Sequence, residues 1–338
     1  MTGPDDTPSA TGDPDAPTPP ARPGASIFTI EGRAAPGLFV VGWLASIIGL
    51  GVAVVGYLAG RSASAPILLT LGLAVLGVGL VAGAGAQALE RKARGRDPYT
   101  GPSPVLIFAA AIPLALLGAI LVGVLLDLVH ADLSQPLRDL LLVSLQNGVY
   151  VGLVALLVVG SGALTWDKMG VHGDARRAIE DIGWGAVFAG PVIGLTLVVT
   201  AILVALFRVI PESPLPPTGE STGFALHLIA GAVLAPIGEE ILFRGVATTA
   251  WSRSFGVRAG IVRAAVFFAV AHVLLISAPS VGEGAALAVV GFGGRLPIAL
   301  VLGWVFVRRK SIYASIGLHA AFNAILLVVA ELSVRAVA

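Results

Sequence analysis

Apolar runs of roughly twenty residues recur along the chain, and the segments between them hold most of its charges. A helix rises about 1.5 Å per residue, so a run of about 20 matches a hydrocarbon layer of about 30 Å. The pattern predicts nine apolar helices, near 38–60, 65–89, 104–129, 140–164, 183–208, 223–250, 259–277, 285–307 and 312–332. The eighth carries Gly291, Gly293, Gly294, Arg295 and Pro297, which predicts a kinked or partly re-entrant segment. There are no ten-residue alternating strands of the kind a membrane barrel needs, and no internal repeat. The expected fold is all-α: a polytopic transmembrane helical bundle of about eight to nine membrane helices with a disordered N-terminal tail.

That tail is residues 1–36, which hold eight of the 22 prolines and four aspartates with few apolar residues. Such a segment buries too little surface to fold. It also lacks the basic start and short apolar core of a secretory signal. The expected organisation is a Pro-rich cytoplasmic tail over 1–36, membrane helices of unassigned role over 37–222, and a chemistry-bearing membrane domain over 223–332.

Charge between the helices sets an expected orientation. The even-numbered connections hold Arg91, Lys92, Arg94, Arg96, Lys168, Arg176, Arg177, Arg253, Arg258, Arg308, Arg309 and Lys310. The odd-numbered ones hold at most Arg61, Arg138 and Arg208. Positive residues stay inside, so the N-terminus is expected in the cytoplasm and the C-terminus outside. The expected location is the plasma membrane of a bacterial cell.

Composition agrees with membrane residence: 56% of the 338 residues are hydrophobic and 12% charged, with a mean hydropathy of +0.93. Soluble domains carry about 25% charged residues. A formal net charge of +1 without a basic patch gives no support for nucleic-acid binding. The absence of cysteine excludes disulfides, thiolate metal sites, a cysteine nucleophile and cysteine lipidation of this chain. The 43 glycines are scattered through the apolar runs, where small residues let helices approach closely.

Polar residues inside the predicted helices cluster in the last third: Glu239, Glu240, Arg244, His272, Arg295, His319 and Asn323. A charge at the centre of a membrane helix costs about 2.5–3.5 kcal/mol on insertion scales, so several together need partners or a wet cavity. Counting helical rise from each cytoplasmic end puts His319 roughly 10 Å deep, Glu239 and Asn323 roughly 17 Å, Arg295 roughly 18 Å and His272 roughly 20 Å. One cavity, in the cytoplasmic half to the middle of the membrane, can take them all.

Each residue also has a plainer reading. Glu240 and Arg244 at i,i+4 suit a structural ion pair as well as a catalytic one. A lone His272 or His319 suits a hydrogen-bonded packing residue, Asn323 an interhelical bond, and Phe268 simple packing. Arg295 suits a helix break or a carboxylate partner. Trp184, Trp251 and Trp304 sit near helix ends as interfacial anchors; His227, Asp127 and His130 lie near outer ends and need no function. Glu239 is the hardest to dismiss, since no partner lies four residues away on its own helix. A carboxylate, two imidazoles and an amide together suit peptide hydrolysis, through proton removal from water and stabilisation of an oxyanion. They suit other chemistries too.

Glu239-Glu240-Ile241-Leu242-Phe243-Arg244 matches an EExxxR pattern, Phe268-Ala269-Val270-Ala271-His272 matches FxxxH, and His319-Ala320-Ala321-Phe322-Asn323 matches HxxxN. In this order, on successive apolar segments and without departure, the motifs resemble those of the CPBP intramembrane proteases. That family comprises the type II CAAX prenyl endopeptidases and bacteriocin-processing and self-immunity proteins of bacteria. The resemblance covers about 225–326; the first five helices resemble nothing recognised. It implies an intramembrane endopeptidase, a hydrolase often classed as a metalloprotease, acting on a membrane-embedded or membrane-adjacent peptide or protein. By motif, Glu239 is the water-activating base and His272 its partner. His319 and Asn323 hold the oxyanion, and Glu240 with Arg244 sets position and charge. Glu239, His272 and His319 are also candidate ligands for zinc or another divalent metal, beside a metal-free glutamate mechanism. Other protease classes fit worse: there is no HExxH, no serine motif of the rhomboid kind and no GxGD frame. Two further classes compete, a non-catalytic scaffold or immunity protein of the same fold and a proton-coupled transporter. The transporter reading lacks matching charges in the first five helices and the inverted repeat such folds carry.

Overall fold

The computed structural model describes residues 30–336, so most of the expected tail lies outside the described residues. The chain divides into Met1–Arg33 and Ala34–Ala338. The first unit contributes residues 30–33, a turn in which the Arg33 amide donates to the Ile30 carbonyl at 3.4 Å.

The second unit is helical throughout its regular structure. Its elements are α1 (Pro36–Leu58), α2 (Ala65–Arg94), α3 (Pro104–Leu128), α4 (Gln135–Val154), α5 (Ala175–Ala186), α6 (Ala189–Phe207), α7 (Ser221–Leu228), α8 (Ala235–Glu240), α9 (Thr249–Phe255), α10 (Val257–Ala271), α11 (Val281–Arg309) and α12 (Ile312–Arg335). Wider π turns extend α4 over Ala155–Val159 and join α7, α8 and α9 through Ile229–Leu234 and Ile241–Thr248. Counting such continuous runs together, eight helices among the described residues are long and apolar enough to cross a membrane. The all-helical membrane bundle expected from the sequence is the observed fold.

Local sequence explains where elements start and stop. Pro104 opens α3 with the φ a first helical turn needs. Asp174 caps α5 by accepting the Arg177 amide, and Ser280 caps α11 by accepting that of Glu283. Gly95, at φ +67°, ends α2 in the left-handed conformation.

Two segments depart from expectation. The eighth helix is neither re-entrant nor broken: α11 is continuous over 29 residues, about 43 Å long. Its glycines serve close packing. A Cβ on Gly293 would meet the Leu203 side chain and one on Gly294 the Thr200 hydroxyl, so their absence lets α6 lie against α11. Pro297 sits within this helix, whose neighbours α6 and α10 pack against it. The seventh segment, expected over 259–277, ends its helix at Ala271 after 15 residues, about 22 Å. Pro279 disfavours helix at Ala278, and His272 is left at the helix end. Ile261 of α10 lies by Gly303, and past the helix end the chain still follows α11, with Val273 and Ile276 by Gly291.

The fifth helix is also revised. It begins at Ala175, before the expected 183, and turns between Ala186 and Ala189, so Arg176 and Arg177 are helical. The buried Asp181 accepts from Nε of Arg309 at 2.8 Å, with a second bond from Nη2, and fixes α5 to the end of α11. The packed core is made by α3, α4, the Ile241–Thr248 turn and α10, around Ile107, Phe108, Val154, Leu242, Phe243 and Phe268. Exposed apolar side chains such as Leu44, Ile47 and Ile48 on α1 present the face that lipid covers.

Candidate active site

Pro236 lies in α8, immediately after the Ile229–Leu234 π turn. There the Ala235 amide bonds back to Ala230, the i−5 pattern of a π turn. In that pattern the carbonyl of Gly231 would pair with residue 236, and proline has no N–H to give. The Asn323 side chain, arriving from α12, donates its Nδ2 to that carbonyl at 2.8 Å. The motif asparagine thus holds α12 against the helix that carries the glutamates.

Adjacent on α8, Glu239 and Glu240 point into different surroundings. Glu240 is fully buried. Its Oε1 accepts from Nη1 of Arg244 at 2.9 Å and from Nδ1 of His319 at 2.8 Å. Arg244, equally buried, also donates Nη2 to the Ala299 carbonyl at 3.2 Å and lays its guanidinium over the Phe268 ring at 4.5 Å. Phe268 therefore does more than fill space: it lies 4.2 Å from the His272 ring and 5.8 Å from that of His319, centre to centre.

Glu239 faces a cavity of about 760 Å³ that Glu240 and Arg244 do not line. Its Oε2 stands 3.6 Å from Nε2 of His272 and 3.8 Å from Nε2 of His319. Both rings are oriented by their other nitrogen. Nδ1 of His272 donates to the Phe268 carbonyl at 2.8 Å, and Nδ1 of His319 to Glu240. Since those partners only accept, the proton sits on Nδ1 in each ring and Nε2 is turned to Glu239. Separations of 3.6 and 3.8 Å are too long for direct hydrogen bonds, and they leave the Glu239 oxygen and both Nε2 atoms free to accept from a water beside them in the cavity.

A resident metal fits this set less well. Two ligands each about 2.1 Å from a tetrahedral zinc lie about 3.4 Å apart. Both separations here are a few tenths of an ångström wider, and no group of three such side chains among the described residues has metal-holding geometry.

The structure thus gathers Glu239, His272, His319 and Asn323 around one cavity, with Glu240 and Arg244 beneath it. Arg295 also lines the cavity, with Nη1 on the Gly291 carbonyl of its own helix at 3.0 Å. Tyr150, from α4, is a wall residue that the motifs did not reveal. It accepts from Gln146 at 3.2 Å on its hydroxyl oxygen, which leaves the O–H to donate. His227 is buried, with Nε2 2.9 Å from Asp139 and Nδ1 3.1 Å from the Pro216 carbonyl. Its position near a helix end had suggested no role. Trp184 and Trp304 meet across α5 and α11 at 6.1 Å between rings, and Trp251 packs on Phe267 at 5.6 Å.

Comparison with known proteins returns the same segment. Residues 221–325 match the family model described as Type II CAAX prenyl endopeptidase Rce1-like. No curated protein and no solved structure matches the chain. The matched residues run from the start of α7 into α12 and contain all three motifs. Residues 221–325 of this membrane protein are therefore a domain of the type II CAAX prenyl endopeptidase family, a family of intramembrane proteases.

Proposed function

We propose that the protein is an intramembrane endopeptidase in which Glu239 activates water for attack on a peptide bond. The observation that carries this is the convergence of Glu239 Oε2 and two imidazole Nε2 atoms, 3.6 and 3.8 Å from it, on the wall of one cavity. A water held beside them in the cavity gives one proton to Glu239 while its oxygen attacks the peptide carbonyl. His272 and His319 orient that water. The second N–H of Asn323, and His319 when protonated, donate to the oxyanion that forms. As the C–N bond breaks, the proton held by Glu239 passes to the leaving nitrogen, and the carboxylate is restored. Glu240 and Arg244 fix the tilt of His319 without touching the substrate.

The test compares protein N-termini in membranes of the native host carrying wild type or Glu239→Gln. Removal of a general base is expected to lower cleavage by at least about 10²-fold, so a set of peptide ends vanishes. Identical profiles at equal protein levels would replace the protease reading with a scaffold. Metal content is measured on the same protein: activity at full level without bound metal supports a carboxylate base. Activity restored only by one equivalent of zinc would make Glu239, His272 and His319 ligands instead.

A further inference from the structure

We infer that substrate reaches Glu239 from the membrane face opposite the basic connections, as an apolar peptide segment entering beside the 210–215 loop. This rests on the protease reading above and adds the side and the chemistry of the substrate.

The cavity has a direction. Helices alternate in sense, so the connection after α6 lies at the opposite end from those holding Arg94, Lys168, Arg253 and Lys310. Residues 210–215 of that connection line the cavity, and so does Asp139, one turn into α4 at the same end. From there the lining descends α4 through Leu142, Val143 and Gln146, and α6 through Val204, Thr200 and Thr196, to Glu239 and His272. The opposite end is closed. Phe108, Phe243 and Phe268 form the floor, with Phe243 6.1 Å from Phe108 and 5.1 Å from Phe268. Behind them Phe267 packs on Phe243 at 5.1 Å and Trp251 on Phe267, filling the way to Arg253. No lining residue belongs to a basic connection.

The wall chemistry defines the guest. The walls below the mouth are largely aliphatic, from Leu142, Val143, Leu197, Val204, Leu326 and Leu327; Asp139, Glu212 and Ser213 stand at the mouth, and Glu239, His272, His319 and Asn323 converge at the base. Apolar walls with a few convergent polar groups are the ordinary form of a specific binding site, and this volume lies in the usual range. An extended apolar segment places its side chains on those walls and its backbone at the glutamate. By the charge rule, the entry face is the extracytoplasmic one. The fitting substrates are thus exported or membrane-anchored peptides at the outer leaflet, in place of cytosolic chain ends.

The natural absence of cysteine makes the side of entry measurable. Thr200→Cys marks the wall, Ser213→Cys the mouth and Gly173→Cys the basic end. Each is treated with a membrane-impermeant maleimide in right-side-out and in inverted membrane vesicles. Thr200→Cys is expected to react from the side on which Ser213→Cys reacts and to be protected from the other. Reaction only from the Gly173 side, or from neither side while denatured protein reacts, would overturn the inference. Because this readout needs no proteolysis, an inactive protein labelled from the Ser213 side would sink the protease reading alone. Where cleavage is established, a bulky adduct at Thr200→Cys should reduce it at least tenfold; full activity with that adduct in place would argue against this route.

Discussion

Two neighbouring carboxylates are given opposite tasks by what surrounds them. Glu240 spends both bonds of its Oε1 on Arg244 and His319 and sees no water, so it acts as a fixed negative post for the ring behind it. Glu239 keeps its oxygens for the cavity. Removing Arg244 would strand a buried carboxylate, and loss of one partner from a buried pair costs about 3–5 kcal/mol. Arg244→Ala is expected to lower the thermal midpoint and folded yield in detergent far more than Glu239→Gln does. A well-folded but inactive Arg244→Ala protein would instead give Arg244 a direct part in chemistry. The spacing of Glu240 and Arg244 made their pairing legible in the sequence, because four residues return to the same helix face. The partners of Glu239 were not legible from its own helix. They come from the end of α10 and from α12, and only tertiary packing brings the two Nε2 atoms to it. Tyr150 carries no motif at all, and the burial of His227 against Asp139 could not be read from its nearness to a helix end.

At the level of elements, glycine decides which helices touch. A Cβ on Gly317 would meet the backbone of Ile182, and one on Gly185 the backbone carbonyl of Ala314, so α5 and α12 pack backbone to backbone. Gly152 in α4 has open space around it. Gly317→Ala is therefore expected to destabilise by about 1–3 kcal/mol through overpacking. Gly152→Ala should leave stability unchanged or raise it by up to about 1 kcal/mol, from helix propensity. Thermal unfolding of both in one detergent decides: equal midpoints would mean that α5 is not held to α12 in solution. The apolar pattern located these helices but not their contacts, since glycine reads alike whether it faces lipid or a neighbour. The same limit produced the expectation of a kinked or partly re-entrant eighth helix, where Gly293 and Gly294 proved to be the seat of α6. Pro236 allows a second test. Asn323→Leu leaves the Gly231 carbonyl without its donor, a loss of about 1–3 kcal/mol for a buried group. In a Pro236→Ala background the restored amide can take that carbonyl, so Asn323→Leu should destabilise less there. Equal losses in both backgrounds would show that the asparagine does not serve the proline's orphaned partner.

Across the whole molecule, charge and cavity lie at opposite ends. The basic residues gather where the aromatic floor seals the bundle, and the cavity mouth lies where they are scarce. Orientation in the membrane therefore sets which compartment supplies substrate, and orientation depends on how often the chain crosses. Eight helices among the described residues are long enough to do so, and α10 is too short. Yet α10 and the residues after it run antiparallel to α11, with Ile261 opposite Gly303 and Val273 opposite Gly291. These contacts follow α11 from Gly303 to Gly291, and we propose that the chain changes sides there without a full-length helix. On our proposal of nine crossings, the two termini lie on opposite faces, and the charge rule would put the basic connections and the N-terminus in the cytoplasm. A fluorescent protein that folds only in the cytoplasm should accordingly light up when fused at the N-terminus and stay dark at the C-terminus. A phosphatase active only outside should give the reverse pattern. If both termini report the same side, the segment from α10 to α11 does not cross. The basic connections after α9 and α11 would then face different compartments, and the cavity mouth would have to be assigned from the α6–α7 connection alone.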